Sequence, residues 1–126
     1  MHNDQPGIAT IELAVPPCWN VAFRCNVLLS VADINWLYQY IRNKGAELPV
    51  LMDWRGIQGI EFEALEQIVR FQSGAHPLTV IAEPGSIGER YAHLINQLCE
   101  QNCSCVVFPT APEAVGWLAR RHAEEP

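Results

Sequence analysis

This chain is short of positive charge. Among its 126 residues eight are Lys or Arg against fourteen Asp or Glu, the net charge is -6, and Lys44 is the sole lysine. The cations are scattered, so the field that draws a phosphate backbone is missing and no nucleic-acid partner is expected. Also missing is any apolar stretch near the ~20 residues that cross a bilayer, so no integral membrane segment is expected. Residues 1–7 have neither the basic start nor the apolar run of a secretory leader, which points to a cytoplasmic protein. Charged residues amount to 17% and hydrophobic residues to 49%, a balance too apolar for a disordered chain. No internal repeat, low-complexity stretch or interdomain linker interrupts it. The five cysteines are an odd set in a chain long enough to build its own core, so reduced thiols are expected rather than a disulfide framework.

What the chain does have is periodicity. Ile11, Leu13 and Val15 alternate with Thr10, Glu12 and Ala14; Val21, Phe23, Cys25 and Val27 alternate with Ala22, Arg24 and Asn26. A period of two predicts half-buried strands. Pro16-Pro17 between them predicts a hairpin, since proline cannot donate to a ladder. From Ser30 the period changes. Ser30-Val31-Ala32-Asp33 is a helix start, Ile34, Leu37, Tyr38 and Ile41 fall on one stripe, and Gly45 closes the helix. Residues 50–52 are apolar throughout, as a strand covered on both faces requires. Phe62, Leu65, Ile68 and Val69 mark a second helix, and residues 78–82 another buried strand stopped by Pro84-Gly85. Ser86-Ile87-Gly88-Glu89 is a capping box ahead of Tyr91, Leu94, Ile95 and Leu98 at helical spacing. Residues 106–108 form the last strand, and Thr110-Ala111-Pro112-Glu113 caps a last helix whose negative end suits Arg120, Arg121 and His122.

This order predicts an α/β fold: a single-domain sandwich over residues 8–122, with an N-terminal β-hairpin and then three strand-helix units. The sheet is expected to be mixed, mainly parallel and five-stranded, with four helices. Residues 1–7 are expected to be disordered and 123–126 to form a tail.

The run Val50-Leu51-Met52-Asp53-Trp54-Arg55-Gly56 leads through Ile57-Gln58-Gly59-Ile60 into Glu61-Phe62-Glu63-Ala64-Leu65. An apolar strand, a terminal acid, a glycine-bearing loop and an acid-headed helix start resemble the signature stretch of STAS domains, the anti-sigma factor antagonist fold. Ser86-Ile87-Gly88-Glu89-Arg90-Tyr91, then Val106-Val107-Phe108, then Glu113-Ala114-Val115-Gly116-Trp117-Leu118 are similar to the SpoIIAA-like branch of uncharacterised proteins. Members of that branch tend to end in a strand and an Ala-x-x-Trp-Leu helix, and the similarity spans about residues 8–120. The resemblance implies that Asp53 is the strand-end acid and Glu61 the acid before the phosphoacceptor. At the acceptor position stands Phe62, which has no hydroxyl. The antagonist switch, which places about two negative charges at a helix start, is therefore not expected. Glu61 and Glu63 hold fixed carboxylates where the helix dipole favours them, either as plain capping or as a permanent mimic of the phosphorylated state.

Asp53, Glu83 and Ser86 are expected near the carboxyl ends of neighbouring parallel strands, where open α/β sheets bind ligands, with Arg55 and Arg90 adding positive charge. The amides at the Ser86 helix start offer a place for a small polar or anionic group; equally, Glu83, Ser86 and Glu89 suffice as a strand end and a helix cap. Trp54 in its loop and Trp36 off the main helical stripe read as exposed aromatics of the kind enriched at interfaces, or as partly buried ones. Receiver-type phosphorylation of Asp53 would require an acidic pair after the first strand and a lysine after the last, where Val15-Pro16-Pro17 and Phe108-Pro109-Thr110 stand instead. Cys99, Cys103 and Cys105 with His93 lack the Cys-x-x-Cys spacing of a zinc site, so structural thiols are expected, and neither a metal nor a cofactor. No Ser-His-acid or Cys-His set emerges from His76, His93 and the terminal His2 and His122.

These residues point to a non-enzymatic STAS-like interaction module without the phosphoacceptor serine. Its partner would be another protein or a second copy in a homodimer. The resemblance also connects this architecture with the lipid-binding Sec14 type, so the alternative is a carrier of a small apolar or anionic ligand. A small hydrolase-like enzyme ranks third.

Overall fold

The computed structural model describes residues 8–45, 47–74, 76–99 and 103–124. The expected disordered segment 1–7 and the last two residues of the expected tail lie outside the described residues. Strands β1 (Ala9–Ala14) and β2 (Cys18–Phe23) form the predicted antiparallel hairpin. The alternation predicts that β2 continues through Val27, but it stops at Phe23. Asn26 takes φ 63 and its amide donates to the Gly56 carbonyl at 2.7 Å. The chain is thereby diverted into β3 (Leu28–Leu29), which pairs in parallel with β5 (Gly59–Ile60) as a separate two-stranded ribbon. Two-residue strands are too short to carry a period-two signal, so this ribbon is absent from the sequence expectation.

Helix α1 (Val31–Asn43) begins with the predicted capping box. Ser30 Oγ accepts the Asp33 amide at 3.2 Å and Asp33 Oδ2 accepts the Ser30 amide at 3.0 Å, which satisfies two otherwise orphaned donors. The chain then runs through β4 (Val50–Asp53), β5, α2 (Phe62–Gln72), β6 (Leu78–Ile81), α3 (Ile87–Cys99), β7 (Cys105–Phe108) and α4 (Ala111–Glu124). Helix α4 passes the expected boundary at 122. The main sheet has the order β1-β2-β4-β6-β7, with β1 antiparallel and the remaining pairs parallel. The five-stranded, mainly parallel sheet with four helices agrees with the sequence expectation.

Two hydrophobic clusters show how the layers divide. Helices α1, α2 and α3 pack on one face through Ile34, Leu37, Leu65, Ile68 and Ile95 against Val21, Met52 and Val80. Helix α4 packs alone on the other, with Ala114 and Leu118 over Leu51 and Ile81. Cover on both faces is why β4 through Met52, and β6 apart from Thr79, read as apolar runs. Each fully buried aliphatic side chain contributes roughly 1.5–3 kcal/mol. Leu13 and Val15 depart from the expected pattern and are exposed. Strand β1 is an edge, and the clusters reach it only through Ala9, Ile11 and Ala14.

The cysteines also correct an expectation. Cys99 and Cys103 form a disulfide at the end of α3, with Cα atoms 5.3 Å apart, inside the ~4.4–6.8 Å that such a bridge spans. Cys18 and Cys105 are buried thiols and Cys25 is an exposed one. Asn96 ties α3 to β7: its Nδ2 donates to the Cys105 carbonyl at 2.8 Å and its Oδ1 accepts the Cys105 amide at 2.7 Å.

Candidate functional site

The parallel strands deliver their carboxyl ends to one pole. There the Asp53 carboxylate turns onto Arg55, whose Nη2 donates to Oδ2 at 2.7 Å, Nε to Oδ1 at 2.9 Å and backbone amide to Oδ1 at 3.0 Å. The hydrogen bond that Arg55 donates to Asp53, then the charges of Asp53 and Glu83, raise the Arg55 pKa. Glu83 therefore lies within electrostatic reach of the pair, as expected of acids that follow neighbouring strands. The Arg55 charge is neutralised locally, and the pair is exposed enough that solvent screening holds its contribution to about 1 kcal/mol or less.

Ser86 does the work of a cap. Its Oγ accepts the Glu89 amide at 3.3 Å, while Glu89 Oε1 accepts the Gly85 amide at 2.8 Å, one residue earlier than the simplest capping box. Glu61 is the N-cap of α2 but makes no side-chain capping bond. Glu61 and Arg90 are both exposed. Of the residues singled out in the sequence, the structure joins Asp53, Arg55 and Glu83, commits Ser86 to α3, and leaves Glu61 and Arg90 at the surface.

Trp54, read from the sequence as exposed or partly buried, is neither: the residue is 1% exposed. Its amide donates to the Ile81 carbonyl at 2.9 Å, carrying the β4–β6 ladder one residue further. Helix α3 approaches it through Gly88, where a Cβ would stand 3.2 Å from both Trp54 Cβ and Ala82 Cβ. The indole Nε1 is buried without a hydrogen-bond partner among the described residues. Side-chain direction after a strand end is decided by the helix that lands on it, which local sequence does not specify. Trp36 is half-buried, packed at the margin of the core and against Tyr40 at a centroid distance of 5.5 Å, the partly buried of the two readings the sequence left open.

Three residues at this pole were not singled out as a surface. Leu28, Phe62 and Ile87 are 47%, 54% and 45% exposed. A Cβ on Gly59 would lie 3.3 Å from Leu28 Cδ1 and 3.1 Å from Tyr91 Oη, which places Leu28 beside the face of α3 that holds Tyr91 and, one turn earlier, Ile87. Phe62 opens α2 directly after the ribbon. Exposed acids Glu61, Glu63 and Glu83 surround these starts. Phe62 and Ile87 were legible as first helical residues, whereas Leu28 depends on a ribbon the sequence did not announce. A cavity of about 410 Å³ lies at the opposite pole, against Val50 at the start of β4. Among the described residues no group of three or more His, Cys, Asp or Glu side chains is arranged to hold a metal ion. No helix among them is long and apolar enough to cross a membrane.

Sheet order, helix placement and the α2 start together define a SpoIIAA-like α/β fold. The chain is similar in structure to an uncharacterised protein of the DUF3478 family from Shewanella loihica PV-4, whose crystal structure has a SpoIIAA-like fold. The TM-score is 0.59 at 18% identity, over 94% of this chain and 98% of that one. At that identity the likeness establishes architecture and not activity. No protein-family model matches the chain, and no curated protein matches it.

Proposed function

We propose that this chain is a cytoplasmic, non-enzymatic contact module that binds a protein partner through its carboxyl-end pole. The observation that carries the reading is the exposure of Leu28, Phe62 and Ile87 at the ribbon and at two adjacent helix starts. Grouped apolar side chains of this size are uncommon on a free surface and mark sites of association. Phe62 occupies the position where the STAS resemblance places the phosphoacceptor, so the surface has an aromatic anchor in place of a switchable hydroxyl. The Ser86 hydroxyl is committed to capping and the Asp53 carboxylate to Arg55, which supports contact rather than chemistry. Glu61, Glu63 and Glu83 give the patch a fixed negative rim. A second copy would set that rim against itself, so the complementary partner is a different protein with an apolar pocket edged by Lys or Arg.

The test is a photo-crosslinking residue introduced at position 62 in cells that make the protein, followed by purification and titration of whatever is captured. Truncating an aromatic anchor costs about 2 kcal/mol or more, so Phe62→Ala should weaken binding of that protein more than tenfold without unfolding the domain. Equal affinity for wild type and Phe62→Ala would remove the reading.

A further inference from the structure

The pole opposite the contact surface contains a groove. Its main part, about 410 Å³, lies between the last turns of α1 and α2 and the first residue of β4, within the ~300–1,000 Å³ range of small-molecule pockets. Ile41, Leu48, Val50 and Phe71 supply apolar wall, and the Tyr38 ring stacks on Phe71 at a centroid distance of 4.6 Å. The polar groups beneath are bonded to one another. Tyr38 Oη donates to Gln72 Oε1 at 2.7 Å, and Gln72 Nε2 donates to the His76 carbonyl at 2.9 Å. A second compartment of about 130 Å³ shares Glu47, Leu48 and His76 with the first and reaches Arg121 and His122 of α4. The two compartments adjoin at these shared residues, side by side along a trough at the amino-terminal end of the sheet.

Its charge is what identifies a ligand. The Arg42 guanidinium lies 4.6 Å from the Phe71 ring centroid, and that of Arg121 lies 5.0 Å from the Trp117 centroid. Neither meets a carboxylate among the described residues, so each is positioned by a ring while its N–H donors remain open. The last turns of α1 and α2 point their negative dipole ends toward the trough, and part of that charge is met by local amides. The Lys44 and Gly45 amides donate to Ile41 and Arg42 carbonyls at 3.1 and 3.0 Å, and the Ser73 amide to the Val69 carbonyl at 3.0 Å. Glu47 is the one carboxylate among the described lining residues, set against two guanidiniums. Arg42 and Glu47 balance in the larger compartment and Arg121 adds positive charge in the smaller one; in a chain of net charge -6 open guanidinium donors beside an apolar wall favour an anion with an apolar body.

We infer that the trough binds a small amphipathic anion, with a planar apolar body against Leu48 and Phe71 and an acidic head on Arg42. This does not depend on the contact surface at the other pole. The probe is anilinonaphthalene sulfonate, with its uncharged parent phenylnaphthylamine as the comparison, followed by fluorescence. Wild type should bind the sulfonate at one saturable site. Arg42→Gln should weaken it about tenfold or more, the change expected for one charge-assisted hydrogen bond. Arg121→Gln should weaken it less, and phenylnaphthylamine should be insensitive to Arg42→Gln. Phe62→Ala should leave sulfonate binding unchanged. The inference is overturned if wild type shows no saturable site, if Arg42→Gln binds the sulfonate as wild type does, or if Phe62→Ala removes the binding. Arg42 is exposed, so its replacement leaves the fold in place.

Discussion

At the carboxyl-end pole the turn and cap polar groups bond to one another and large apolar side chains are exposed; at the amino-end pole the rings are packed and two guanidiniums are open. Asp53 and Arg55 close on each other and Ser86 and Glu89 cap α3, while Leu28, Phe62 and Ile87 face solvent. Across the sheet, Phe71 and Tyr38 are stacked and Gln72 is bonded twice, while Arg42 and Arg121 lack a carboxylate among the described residues. The two poles therefore expose different chemistry. The acidic turn, which attracts attention in the sequence as chemistry, is a finished piece of local structure, and what remains open there is hydrophobic.

The comparison breaks most visibly in the layer beneath the first pole. Trp54→Ala should destabilise by roughly 3–5 kcal/mol in urea titration, because a fully buried indole under α3 leaves a cavity. Trp54→Phe, which removes the unpartnered Nε1, should cost much less; a small loss in Trp54→Ala would show that the pole is not anchored by the core. Beneath the second pole, Tyr38→Phe should cost about 1–3 kcal/mol, since it strands Gln72 Oε1 in a buried site. The same measurement at this end tests whether the trough rests on a bonded floor.

Alkaline pH should weaken the same layer. Burial pushes the Cys105 thiol from 9.0 up to about 12, and burial, then the nearby Cys105, pushes the Tyr38 hydroxyl up as well. Both groups hold their proton more tightly folded than unfolded. Their contribution is fully present below the unfolded pKa and is lost as pH climbs toward the folded value. The urea midpoint should therefore fall above about pH 9 by the equivalent of roughly 1–3 kcal/mol near pH 11, and Cys105→Ala should flatten the decline. The smallest effect belongs to the exposed pair. Arg55→Ala should change stability by about 1 kcal/mol or less and by still less at high salt; a larger loss would mean that the Asp53 turn is structural after all.

Much of the layer order was written in local pattern. Ser30 and Asp33, Ser86 and Glu89, and Thr110 and Glu113 announced three helix starts because a capping bond joins residues three apart, a range that sequence spacing expresses. The apolar runs of β4 and β6 announced their cover on both faces. The candidate site was less legible. The position of Asp53 beside Arg55 followed from proximity along the chain, but the burial of Trp54 follows from α3 closing on it through Gly88. The disulfide of Cys99 with Cys103 follows from how α3 ends before β7.

By itself the sequence determined element type, helix starts and the absence of a hydroxyl at position 62, since these depend on periodicity, short-range hydrogen bonding and residue identity. Only the tertiary structure decided which side chains were left uncovered. Leu28 is exposed because Asn26 diverts the chain to pair with residues 59 and 60, and Leu13 because β1 is an edge. The trough exists because α1, α2 and α4, separated along the chain, end around the same end of the sheet. Contacts between distant segments set these surfaces, and no local pattern encodes such contacts.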